Sequence, residues 1–148
     1  MPSIPTEQEW ANYQSDLDQK HAHSVFAGRN NEEMQPFFRR NVIEMTDSLR
    51  WMPDVPFRYY MLGFRDFVMA RKFGFLGSAD AASCFLGLVL EKIEKQPDQI
   101  APIMPDLLSS VEYVATNQKL FEADEDIYGN FVQRLSRIHE AYARHRIV

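Results

Sequence analysis

PFRYYMLGFRDFVMARKF, residues 56–73, is the stretch that decides the fold. Phe57, Tyr59, Tyr60, Met61, Leu62, Phe64, Phe67, Val68 and Met69 leave almost no polar side, and the run is too long and too unbroken for a strand. A helix that is apolar nearly all round has to lie inside the molecule, with other helices covering it. Upstream, Met34, Phe38, Val42 (or Asn41), Met45 and Leu49 recur at helical spacing, with Pro36 near the start of that helix and Pro53-Asp54-Val55-Pro56 ending it. Downstream, Gly74 and Gly77 bracket a turn, and Ala81, Cys84, Phe85, Leu88, Val89 and Ile93 form another inward stripe.

Further out the same period continues. Thr6-Glu7-Gln8-Glu9 has the pattern of a capping box, in which the Thr hydroxyl takes one free backbone N–H and the Glu reaches back to another. From that start the spacing sets Trp10, Tyr13, Leu17, His21 and Val25 on one face, stopping at Gly28, and Asn30 or Asn31 caps the next helix. Pro97, Pro102 and Pro105 break up the stretch that follows the Ile93 stripe, leaving an irregular or short helical piece before a helix from about Pro105 to Lys119. A last helix from about Glu125 carries Tyr128 (or Ile127), Phe131, Leu135, Ile138 and Tyr142. No segment alternates like a strand, and no repeat of fixed period occurs. The expected fold is therefore all-α: one domain over residues 1–148, a bundle of five to six helices, mostly antiparallel neighbours, around the helix at about 56–73. Phe64, Phe67, Phe85, Phe131 and Leu135 are expected in its core.

With 148 residues, 45% hydrophobic and 13% aromatic, the chain can close such a core without staples. Cys84 is the single cysteine, so no internal disulfide forms, and a reducing compartment, the cytoplasm, is expected. There is no apolar run of membrane-spanning length, and Met1-Pro2-Ser3-Ile4-Pro5 lacks the basic and apolar parts of a signal peptide. The net charge is −5 but unevenly spread. Residues 39–72 hold seven bases against four acids, while residues 98–126 hold seven acids against Lys119 alone. That overall acidity argues against a nucleic-acid partner, whose binder should carry a basic footprint.

No motif spells out an active site. His21 and His23, two apart on a helix, point to opposite sides and cannot share an ion. His139-Glu140 has Ala143 where a zinc-protease helix needs its second His. The run Asp124-Glu125-Asp126-Ile127-Tyr128-Gly129 starts like a calcium loop, yet its fifth position is Tyr128 and its twelfth is Leu135, which cannot supply a bidentate carboxylate. Cys84 sits on an apolar stripe with no base within a turn, as a structural thiol does. No Gly-x-Ser-x-Gly elbow and no phosphate-binding glycine loop occur. The chain is read as using no metal and no cofactor, and as a binder in preference to an enzyme.

Two charge features remain. Tyr113, Phe121 and Tyr128 lie within the acidic stretch 98–126, and aromatic anchors inside a charged rim are the anatomy of a protein-binding surface. The expected function is a cytosolic module whose acidic surface, with Tyr113, Phe121, Glu122, Asp124, Glu125 and Asp126, engages a basic protein partner, in the manner of small acidic toxin-neutralising (immunity-type) proteins. The alternative is a small enzyme or ligand-binding bundle. Arg58, Arg65 and Lys72 recur every seven residues on the central helix, and that stripe could hold an anion beside Tyr59, Tyr60 and Asp66.

Overall fold

The structure, a computed structural model, describes residues 3–74 and 77–147. Phe75 and Leu76 of the expected Gly74–Gly77 turn lie outside the described residues, as do Met1 and Pro2. Helix makes up 78% of the chain, and no strand occurs among the described residues, so the all-α bundle is the fold. In chain order the helices are α1 (Leu17–Phe26), α2 (Asn31–Arg40), α3 (Val42–Arg50), α4 (Asp54–Ala70), α5 (Ser78–Lys95), α6 (Pro97–Ile100), α7 (Met104–Thr116), α8 (Glu125–Tyr128) and α9 (Phe131–Ile147), with short 3-10 turns at Glu7–Trp10, Tyr13–Ser15 and Ala101–Ile103.

Local chemistry explains most of these boundaries. Thr6 and Glu9 form a reciprocal capping box, and so do Asn30 and Glu33 at the start of α2. Asn41 ends α2 with a non-helical backbone (φ −157°, ψ 84°) and caps α3 through its side chain, which accepts from the Glu44 N–H. One long expected helix is thereby split in two. Its stripe nonetheless survives: Met34, Phe38, Val42, Met45 and Leu49 are all buried. The three prolines expected to break the 97–105 region instead sit in the first positions of α6, the following 3-10 turn and α7, where a missing N–H costs nothing. The region is thus helical almost throughout.

The stripe expected from Trp10 to Val25 is not formed. Ala11 has a positive φ of 53°, and Asp16 begins a fresh helix by accepting from the N–H groups of Asp18 and Gln19. That resets the helical phase, so Leu17 and His21 are exposed while Ala22 and Phe26 face inward.

The core is one continuous apolar cluster. α4 lies at its centre as expected, packed against α2, α3, α5, α6, α7 and the first 3-10 turn. It shares that place with α5, which packs against α3, α4, α6, α7 and α9. Phe64, Phe67, Phe85 and Phe131 are buried; Leu135 is only half-buried, at the edge of a stripe centred on Phe131, Ile138 and Ala141. Two polar devices fix the helices against each other. Asn31 and Gln35 of α2 donate to the backbone carbonyls of Tyr59 (2.9 Å) and Gly63 (3.0 Å) on α4. Lys92 of α5, 0% exposed, donates to Arg50 O, Gln96 Oε1 and Gln99 Oε1 at 2.8, 2.7 and 2.5 Å.

Candidate partner-binding site

Between α7 and α9 the chain folds tightly on itself. After Thr116 it turns through backbone bonds from Leu120 and Phe121 to Asn117, from Glu122 to Lys119 and from Ala123 to Gln118. Gln118 then joins three pieces. Its Nε2 donates to Ala123 O (2.9 Å) and Gly129 O (2.7 Å), and its Oε1 accepts the Phe131 N–H (2.9 Å). Asp124 caps α8 by accepting from the Asp126 N–H at 2.9 Å, and Asn130 accepts from Gln133 N–H at 3.0 Å in the first turn of α9. Gly129 links the two helices at φ 79° and ψ −178°, a conformation essentially restricted to glycine. These bonds tie the turn after α7, α8 and the start of α9 to one another.

That surface is acidic and aliphatic rather than acidic and aromatic. Phe121, expected as an exposed anchor, is 0% exposed. The turn drives its ring inward against Phe73 and Tyr113, with ring centroids 6.1 and 6.3 Å away, and the Arg71 guanidinium covers it at 5.9 Å. Tyr113 is itself half-buried against the core, and Tyr128 is engaged through its hydroxyl, which donates to Asp80 at 2.9 Å. Glu122, Asp124, Glu125 and Asp126 are exposed, as expected for a rim. The apolar groups among them are not the expected anchors: Leu120 is 41% and Val132 51% exposed, and Ile127, the alternative to Tyr128 on the expected inward stripe of the last helix, is 74% exposed. Leu120, Ala123 and Val132 line a shallow groove of about 670 Å³ together with Asp124, Glu125, Asp126, Asn130 and residues 115–119.

The Arg58–Arg65–Lys72 stripe is arranged differently. Arg58 donates from Nε to Gln99 O (2.8 Å) and from Nη2 to Asp98 O (2.9 Å), binding the carbonyl end of α6 to α4. Arg65 donates to Asp106 O at 3.1 Å and pairs with Asp66 at 2.9 Å. Both guanidiniums are engaged within the fold, and Lys72 is exposed beyond the end of α4. Tyr60 is buried with its hydroxyl 2.7 Å from the carbonyls of Phe26 and Arg29, and Tyr59 Oη accepts the Asn31 N–H. These groups hold helices together; Arg58 and Tyr59 also line a shallow pocket of about 400 Å³ with Val55, Leu62, Ile103 and Asp106, which Tyr60, Arg65, Asp66 and Lys72 do not line.

Among the described residues, no group of three or more His, Cys, Asp or Glu side chains is placed to hold a metal ion. Each histidine instead faces one carboxylate: His21 Glu44, His23 Glu7, His139 Glu112 and His145 Asp98. Glu7 is held below the usual carboxylate range by its hydrogen bond with His23 and, next, by that of the Tyr13 hydroxyl. Cys84 is half-buried on α5, and burial pushes its thiol up, away from the thiolate that reacts. Alkylation by iodoacetamide at pH 7, followed by mass spectrometry, should therefore run slower than for a free cysteine peptide. A rate equal to the peptide's would show an activated thiol instead.

No helix among the described residues is long and apolar enough to cross a membrane. Comparison with protein-family models, with curated proteins and with solved structures gives no match. The class defined by fold and site is thus an all-α bundle with a preformed acidic groove.

Proposed function

We propose that this protein is a binding module whose acidic groove between α7 and α9 engages a basic protein partner. The observation that carries the reading is the exposure of Leu120 and Val132 in a groove they line together with Asp124, Glu125 and Asp126, with Glu122 and Ile127 exposed on the same stretch of chain. Aliphatic side chains left open to water on a rigid surface are a standing source of binding energy, and the acids around them select the charge of what covers them. Gln118 and the two helix caps keep the backbone of this surface in place, so little ordering entropy is lost on association. A cytoplasmic setting rests on the lone thiol, and toxin neutralisation is one role that a small acidic binder of this kind fills. The anion-clamp reading has weaker support, because Arg58 and Arg65 are already engaged by carbonyls and Asp66.

The test is charge reversal. Glu122→Lys, Glu125→Lys and Asp126→Lys together spare Asp124, which caps α8. Wild type and variant are used as bait in an extract of the source cells at low and at high salt, and the captured protein is then followed by surface-based kinetics. Wild type should retain a basic protein whose capture weakens with salt. The variant should associate at least tenfold more slowly, with a flatter salt dependence. Equal association by a folded variant removes this surface from the function.

A further inference from the structure

The size and lining of the groove say more about its occupant than charge alone. We infer that it takes a short linear segment of the partner, one carrying large aliphatic side chains between lysines or arginines, and not the broad face of a folded basic domain. This rests on the basic-partner reading above and narrows it.

A groove of about 670 Å³ falls in the range of about 300–1,000 Å³ that suits a small ligand or a few amino-acid residues. A domain–domain contact normally needs about 800 Å² on each side. The apolar groups are few and sit in two places: Leu120 and Ala123 on the turn after α7, and Val132 in the first turn of α9. Ile127 stands on the short helix α8 between them in sequence and is the most exposed of the four. The carboxylates of Asp124, Glu125 and Asp126 line the same groove as Leu120 and Val132. An occupant must therefore bring cationic and aliphatic groups within a few residues of each other. A purely cationic chain would leave Leu120 and Val132 wet, and a purely apolar one would strip water from three carboxylates without replacing it. A basic segment with aliphatic residues at every third or fourth position meets both demands, as amphipathic helices do in other grooves.

The experiment uses the full chain and two synthetic twelve-residue peptides, titrated calorimetrically at physiological salt. The first peptide alternates lysines with leucines at helical spacing; the second is identical except that every leucine is serine, so the two carry the same charge. The first should bind at least tenfold more tightly than the second. The double variant Leu120→Ser, Val132→Ser should bring the first peptide down to the level of the second and leave the second unchanged. Both positions are exposed, so the variant's thermal melting should match wild type. Equal affinities, no binding of either peptide, or an advantage of the leucine peptide that survives the double variant would each overturn the inference. The broader reading is judged separately. If both peptides bind alike and both are weakened by the Glu122, Glu125 and Asp126 reversals, a basic partner stands and the aliphatic groove falls. If the reversals change neither, the acidic surface fails with it.

Discussion

Lys92→Met should lower stability by about 1–3 kcal/mol in urea denaturation. Methionine keeps the apolar stem and removes all three donors. The carbonyl of Arg50 and the side-chain oxygens of Gln96 and Gln99 then lose their partner, that of Gln99 in the buried interior. Gln99 in turn donates to Met52 O and Asp54 Oδ1, at 3.0 and 3.2 Å, so the loss spreads to the join between α3 and α4. The face of Phe57 also loses its cation, 4.8 Å from the ring centre. Because these groups act as one network, Gln99→Met should cost a similar amount, and the double variant should cost less than the sum of the two. An unchanged denaturation midpoint for Lys92→Met would mean that the network contributes nothing.

The same lysine gives the stability an alkaline signature. Burial lowers its pKa from 10.5 to about 8, so at neutral pH it remains the ammonium its three acceptors require. Between about pH 8 and 10.5 the unfolded chain holds a proton on this residue that the folded chain has released. Stability attributable to Lys92 therefore rises with pH across that window and is lost again as pH falls through 8. Tyr60 and Tyr128 are both raised, Tyr60 by burial and Tyr128 by its bond to Asp80, and they act in the opposite sense at higher pH. The lysine's part is read as the difference between wild type and Lys92→Met. That difference should change by on the order of 2–3 kcal/mol between pH 7.5 and 10.

Lys92 also shows where reading the sequence stopped. Phe85, Leu88, Val89 and position 92 share one helical stripe, and a lysine standing on it was the available signal for a buried cation. Periodicity registers only apolar residues, so it reveals the stripe and not its polar member. Where side chains act locally the sequence was legible: the Thr6–Glu9 capping box, a cap at Asn30 or Asn31, the stripe from Met34 to Leu49 and the central place of α4 follow from spacing and hydrogen-bonding chemistry alone. It misled where backbone geometry reset the phase, as Ala11 and Asp16 do between Trp10 and α1. The site shows the same division. Its acids could be found because charge density is a property of sequence, whereas the inward turn of Phe121 and the outward placement of Leu120 depend on a turn held by Gln118 through bonds 5, 11 and 13 residues away.

Gly63→Ala should also be damaging, although Ala is the better helix former by about 1 kcal/mol. A Cβ at this position would stand 2.2 Å from Asn31 Oδ1 and 2.5 Å from Asn31 Cγ. A side-chain tip can often swing aside, but this one is pinned. Asn31 Nδ2 donates to Tyr59 O at 2.9 Å, its backbone N–H meets the Tyr59 hydroxyl at 3.2 Å, and Gln35 holds Gly63 O one turn along. Turning Asn31 away breaks the first bond, and keeping it pushes α2 off α4 along the contact that buries Met34 and Phe38. Either response should cost about 1–3 kcal/mol net of the gain in propensity, seen as a lower melting temperature by circular dichroism with the helical spectrum retained. The cause is separable from any general harm done by the methyl group. Asn31→Ala removes the obstructing atoms, so the double variant Asn31→Ala, Gly63→Ala should melt no lower than Asn31→Ala alone. If Gly63→Ala is as damaging in the Asn31→Ala background as in wild type, the close approach of α2 and α4 at this glycine is not what the glycine is for.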